Sequence, residues 1–186
     1  MKSSFATIAK NSLIFLSFLL FWTTPVSAAA RDITPESVLT AVNQTRVQNG
    51  LPALSVSQKL SRAAEHKGKN MQTYGYWAHT NPKTSETGWL FIEQEGYQYT
   101  NAGENLAKDY TSVSGVVAGW MNSPTHKSVL LSEKYTETGI GVLYYTQNGT
   151  EKALIVELFA NPTSRKQSLG NSVSLAFVHL LHTITL

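Results

Sequence analysis

Cysteine is absent from all 186 residues. That excludes disulfides, thiolate metal ligands, a cysteine nucleophile and lipid attachment through an N-terminal cysteine. An exported chain without disulfides is common in bacteria and unusual for a small secreted eukaryotic domain. Charge is also sparse, at 15% of residues, with 15 basic against 12 acidic. Lys2 and Lys10 stand apart at the N-terminus, and without them the balance is 13 against 12. No basic run or stripe remains, so nucleic acid is not an expected partner. The patterns HExxH and GxSxG do not occur. Gly103 falls in an extended segment rather than a GxGxxG turn, which argues against dinucleotide binding.

What is present reads as one globular domain with short extras. The chain is 42% hydrophobic and carries 4 Trp, 8 Tyr and 7 Phe, enough to build a core without staples. Residues 1–30 read as a secretory signal peptide: basic Lys2 and Lys10, the apolar stretch Leu13 to Trp22, then Ser27-Ala28-Ala29-Ala30. Cleavage is expected after Ala28 or Ala30. As a helix that apolar stretch rises only about 15 Å, half of a bilayer core. The mature chain is therefore expected to be secreted or extracytoplasmic, with no transmembrane helix. Residues 31–161 form the expected domain. Residues 162–186 are a polar linker followed by a short apolar tail, Val173 to Leu186, with His179 and His182. Packing on the domain, lying on a membrane and disorder all stay open for that tail.

Periodicity sketches the domain. Thr34 caps a first helix, with Pro35 at its first position and Val38, Leu39, Val42 and Arg46 on one face; Asn49-Gly50 ends it. Ser57 caps a second, with Leu60, Ala63, Ala64, Lys67 and Met71 at helical spacing and Gly75 beyond. Residues 76–88 read as an ordered loop, 89–95 as a short helix, 97–106 as extended, and 112–122 as a third long helix ended by Pro124. Gly139 to Tyr145 and Ala153 to Phe159 read as strands, joined through Asn148-Gly149, a strong hairpin signal. Helices around a small antiparallel sheet make an α/β fold, an α-β-α sandwich.

Three residues stand out for chemistry: His79, stiffened by Pro82; Glu104, between Gly103 and Asn105; and His126, just past Pro124. Taken singly, each is an ordinary loop histidine or structural carboxylate. Their sequence neighbourhoods resemble, in order, four motifs of the bacterial branch of the CAP superfamily (the SCP/PR-1-like domain). Trp77-Ala78-His79-Thr80-Asn81-Pro82 is similar to its His-x-x-Pro loop. Ala102-Gly103-Glu104-Asn105-Leu106 is similar to its Gly-Glu-Asn segment. Trp120-Met121-Asn122-Ser123-Pro124-Thr125-His126 resembles its Trp-x-x-Ser-Pro-x-His motif, and Gly139-Ile140-Gly141 its Gly-x-Gly strand. The resemblance spans residues 34 to 161.

That resemblance implies an α-β-α sandwich with an open groove. It implies site residues His79, Glu104 and His126, with Trp77, Asn105 and Ser123 lining the groove. The family's second glutamate has no counterpart, since Met121-Asn122-Ser123 carries no carboxylate. Two imidazoles and one carboxylate, if convergent, suit a divalent metal such as zinc. A hydrogen-bonded polar cluster is the equal alternative. The expected function is an extracellular binding module for a lipid, glycan or protein, with enzyme activity left open. Tyr76, Trp77 and Trp89 would flank an apolar or glycan ligand, although rings of this size are more often core. A metal-dependent extracellular hydrolase using His79, Glu104 and His126 is the second expectation. A structural cell-envelope component is the third.

Overall fold

The computed structural model describes residues 32–163. The leader expected over residues 1–30 and the apolar tail expected from Val173 lie outside the described residues. Helix α1 spans Pro35–Gln48. It starts there because Thr34 Oγ1 accepts from the Ser37 backbone N–H while Ser37 Oγ accepts from the Thr34 N–H, a reciprocal cap. Val38, Val42 and Arg46 form its buried stripe. Strand β1 is only Ser55–Val56. Helix α2, Gln58–Tyr74, buries Leu60, Ala63, Ala64, Lys67, Gly68 and Met71. Helix α3, Gly88–Gln94, follows the loop.

Strand β2 runs Tyr99–Tyr110, then α4 Val113–Asn122, α5 Pro124–Leu130, β3 Glu137–Gln147 and β4 Thr150–Pro162. The sheet order is β1-β3-β4-β2. The three long strands are antiparallel, as expected, and the two-residue β1 adds a parallel edge that periodicity could not show. The β3–β4 turn has Asn148 at φ 52° and Gly149 at φ 74°, as a tight hairpin turn requires.

Alternation along β4 divides the core in two. Ile155 and Phe159 face Val38, Val42, Val116, Trp120 and Leu130 of α1, α4 and α5. Leu154, Val156 and Leu158 face Leu60, Met71, Phe91 and Ile92 of α2 and α3. The α-β-α sandwich is therefore present. Helix α2 lies very close to β3: a Cβ on Gly141 would sit 2.6 Å from Glu65 N and 2.7 Å from Ala64 C.

One expected boundary changes. Pro124 was expected to stop a helix; it ends α4 but also opens α5, where its missing N–H costs nothing. His126 thus sits in the first turn of a helix rather than in a loop.

Candidate functional site

Adjacent strand residues point to opposite faces, and β2 is the free edge of the sheet. Glu104 and Asn105 exploit both facts. Glu104 is directed toward the α2–α3 face, with Leu106 and its cross-strand partner Leu158. Asn105 is directed toward the opposite face, where its Nδ2 donates to the His126 carbonyl at 3.1 Å. One histidine is therefore tied to each face of the same edge strand.

His79 Nδ1 donates to Glu104 Oε1 at 2.5 Å. The carboxylate is 3% exposed and the imidazole 64% exposed, so the pair is dry on one side and wet on the other. Hydrogen bonding to Glu104 raises the His79 pKa; partial burial and the Lys67 charge work against it, and the Glu104 charge adds to the rise. Gly88, at the start of α3, leaves the space that Glu104 Oε2 occupies, and a Cβ there would collide with it. Oε2 itself is buried and has no hydrogen-bond partner among the described residues.

The loop carrying His79 is held from beneath. Lys67, fully buried on α2, donates to the His79 carbonyl at 2.8 Å and to Tyr76 Oη at 3.1 Å. Its ammonium also lies 5.2 Å from the centre of the Tyr76 ring. Burial lowers its pKa, and Glu104 and Glu86 oppose that. Tyr76 Oη donates to Asn70 Oδ1, which also accepts from buried Asn81 Nδ2. Burial pushes the Tyr76 hydroxyl up to about 12. Asn81 Oδ1 accepts from the backbone N–H of Lys83, the local side-chain turn typical of asparagine. Lys67 was visible in the sequence on the apolar stripe of α2, and its burial there is the signal of its positioning role.

His126 Nδ1 and Ser123 Oγ share a hydrogen bond of 2.9 Å. Burial lowers the His126 pKa, and the His79 charge lowers it further. The two imidazoles therefore feel one another through space, and their environments push them in opposite directions.

A half-open cleft of about 300 Å³ lies beside Glu104 and His79. Thr80, Thr87, Trp89, Val129 and Tyr135 also line it. His126, Trp77, Asn105 and Ser123 do not line this cleft. Asn105 is buried under the His126 backbone, Ser123 holds the His126 ring, and Trp77 is 41% exposed two residues before His79. Trp77 and Trp89 were expected to flank a groove, with a core position as the alternative; Trp89 lines the cleft and is 37% exposed, because Phe91 and Ile92 take the inward face of α3.

No group of three or more His, Cys, Asp or Glu among the described residues is placed to hold a metal ion. Where the residue types suggested a zinc ligand set, the geometry gives a hydrogen-bonded His79–Glu104 pair and a separate His126–Ser123 pair.

The α-β-α sandwich that carries these residues is one that comparison with known proteins places in a family. The model of the cysteine-rich secretory protein family, CAP, matches residues 39–159. The chain belongs to the CAP family, although it carries none of the cysteines that name it. It is 31% identical over 126 residues to the uncharacterized protein YkwD of Bacillus subtilis, covering 68% of this chain and 46% of that protein. This chain thus spans less than half of that relative. An extracellular SCP-domain protein of Bacillus anthracis superposes with TM-score 0.60 at 24% identity, covering 75% of this chain and 45% of that one. An outer surface protein of Borrelia burgdorferi gives TM-score 0.59 at 20% identity, with coverage of 69% and 92%. At these identities the solved structures speak to fold alone. No helix among the described residues is long and apolar enough to cross a membrane.

Proposed function

We propose that this chain is an extracellular ligand-binding module whose ligand enters the cleft beside Glu104, and that a glycan fits it best. The His79–Glu104 pair carries this reading: an exposed imidazole oriented by a buried carboxylate lines the same cleft as the partly exposed ring of Trp89. The exposed edge of the His79 ring offers an incoming hydroxyl a hydrogen-bond partner there. A sugar offers that hydroxyl on its edge and a C–H face for the indole. Thr80 and Thr87 supply further hydroxyls in the cleft. A lipid would use Trp89, Val129 and Tyr135 but leave the His79 ring without a partner. Export follows in this reading from residues 1–30, with cleavage after Ala28 or Ala30. The extracellular and outer-surface descriptions of the solved relatives favour it.

Calorimetric and tryptophan-fluorescence titration with short N-acetylglucosamine oligomers tests the glycan. Glu104→Gln and Trp89→Ala are each expected to weaken binding about tenfold or more. Binding that ignores both variants sends the ligand elsewhere. Fatty-acid binding that depends on Trp89 but not on Glu104 replaces the glycan with a lipid.

A hydrolase is the second reading, and the opposed shifts of His79 and His126 favour it. Glu104 fixes His79 with Nδ1–H inward, which leaves Nε2 as the face that can take a proton from water. Turnover of the same oligomers, falling in Glu104→Gln with KM little changed, is the expected signature. Absence of turnover in the parent chain removes this reading and leaves the binding module.

A further inference from the structure

Helices α1, α4 and α5 rest on the sheet through a core that is apolar except at a few positions. Two of these lie on neighbouring strands. Asn105 on β2 and Glu157 on β4 are both fully buried and stand directly opposite each other in the register. Asn105 reaches α5 through the His126 carbonyl. Glu157 lies midway between Ile155 and Phe159, so strand alternation sets it on that same face. Side chains directly opposite across antiparallel strands start about 4.5–5.5 Å apart at Cβ. An asparagine and a glutamate placed this way are within reach of one another.

Each of the two has one polar atom committed. Asn105 Nδ2 donates to the His126 carbonyl at 3.1 Å. That bond fixes which way the amide points, because a flipped amide would set oxygen against oxygen. Asn105 Oδ1 then has no hydrogen-bond partner among the described residues. Glu157 Oε1 accepts from Thr138 Oγ1 at 3.1 Å, and Oε2 has no partner among the described residues either. Two buried acceptors without a donor are costly. One proton shared between them satisfies both, and of these two side chains only the carboxyl can carry it.

The surroundings favour that neutral acid. Arg46 of α1 has its guanidinium on the carbonyls of Pro52, Leu130, Ser132 and Tyr135 and acts on Glu157 through its charge alone. Helix α4 carries no ionisable residue, and α5 carries only half-buried His126 and exposed Lys127. On the sheet, the neighbours of Glu157 are uncharged: Asn105 on β2, Thr138 and Ile140 on β3. Burial outweighs Thr138 and Arg46 and raises the carboxyl pKa. Helix α5 is thus fastened from beneath at two points, by Asn105 at the His126 carbonyl and by Arg46 at the Leu130 carbonyl.

We propose that Glu157 is a positioning residue for His126: as a neutral acid its Oε2–H donates to Asn105 Oδ1, and this bond locks the amide whose Nδ2 holds the His126 carbonyl. The link runs through the core and does not depend on what the cleft binds.

Two substitutions separate the donor from the bulk. Glu157→Gln keeps a donor, since its amide nitrogen takes the place of Oε2–H while its oxygen accepts from Thr138. Glu157→Met keeps the size and removes the donor. The full chain is read by NMR in each case. In the parent, the Glu157 carboxyl carbon is expected to show a protonated acid at about pH 6, well above the ordinary glutamate value of about 4.3. In Glu157→Gln, a scalar coupling across the hydrogen bond is expected between the side-chain nitrogen at position 157 and Asn105 Cγ, with the His126 ring signals and α5 amide exchange as in the parent. In Glu157→Met, the His126 ring signals are expected to shift and the amides of residues 126–130 to exchange about tenfold faster. A carboxylate signal in the parent at that pH, or no coupling in Glu157→Gln, overturns the bond. A buried water found between Glu157 and Asn105 in the parent assigns the bridge to solvent and overturns it too. Helix α5 left unchanged in Glu157→Met, or disturbed equally in both variants, overturns the positioning role. The parent and Glu157→Gln readings need no destabilised chain, so the bond stays falsifiable even where Glu157→Met does not fold.

Discussion

His79 and His126 differ in what holds their Nδ1 atoms, and that difference is measurable. A carboxylate faces His79 and a hydroxyl faces His126. The folded-state pKa of His79 lies above its unfolded value, about 6.5. Its stabilising contribution is therefore complete below that value and is lost as pH rises through the folded pKa. His126 runs the other way: its folded pKa is depressed, so its contribution is present above about 6.5 and lost as pH falls through the folded value. Because the two slopes oppose each other, the individual imidazole resonances are the right observable, not the overall melt. In Glu104→Gln the His79 titration is expected to move down, and His126 to move slightly up as the neighbouring charge weakens. An unmoved His79 would show that the 2.5 Å contact does not set its protonation. His79, Glu104 and His126 were legible through the resemblance of their neighbourhoods to the CAP motifs; Pro82 and Pro124, which flank two of them, were by themselves a weak signal. Lys67 was legible only as a lysine on an apolar stripe. That the loop hangs on it through the His79 carbonyl depends on how residues 76–81 fold back over α2, and no local pattern encodes that.

Among the elements, periodicity located α1 to α4 because each has a single buried face, whereas β4, buried on both faces, was legible as a continuous apolar run joined to β3 through Asn148-Gly149. Strand β1 escaped it because two residues are too few for a period, and α5 escaped it because Pro124 reads equally as a stop and as a first helical residue. The Gly-x-Gly of β3 has a clear physical meaning once α2 is in place. Gly139 and Gly141 are flat sites against which helix backbone packs directly. Gly141→Ala is expected to cost about 1–3 kcal/mol through overpacking, read as a lower urea midpoint with an unchanged m-value. Gly149→Ala makes the useful contrast. Nothing lies within 4 Å of a Cβ there, so its cost is confined to the positive φ, on the order of 1 kcal/mol. Equal losses at the two positions would mean that α2 shifts to accommodate the methyl group, and that the close approach is not what the glycine provides.

For the molecule as a whole, the deepest electrostatic question lies under the sheet. Glu157 is fully buried on β4, facing the α1–α4–α5 layer, with Oε1 accepting from Thr138 Oγ1 and Oε2 unpartnered among the described residues. Two forces compete over it. Burial favours the neutral acid, while the Thr138 hydrogen bond and the charge of buried Arg46 favour the carboxylate. Arg46 is committed elsewhere: its guanidinium donates to the carbonyls of Pro52, Leu130, Ser132 and Tyr135, tying α1 to the segment that leads from α5 into β3. It therefore acts on Glu157 at a distance, without a hydrogen bond, and burial wins, pushing the carboxyl up to about 8. Between the ordinary glutamate value, about 4.3, and that figure, the folded chain keeps a proton that the unfolded chain has lost. Stability must then fall as pH rises across this window. Glu157→Gln removes the titration while keeping size and a Thr138 contact. Its urea midpoint is expected to match the parent near the acid end and to exceed it increasingly toward pH 8. A variant that is instead weaker than the parent above neutrality would show a carboxylate bound to Arg46. The guanidinium would then have to release part of its hold on the α5–β3 segment, and exchange of the amides in residues 130–136 would report that.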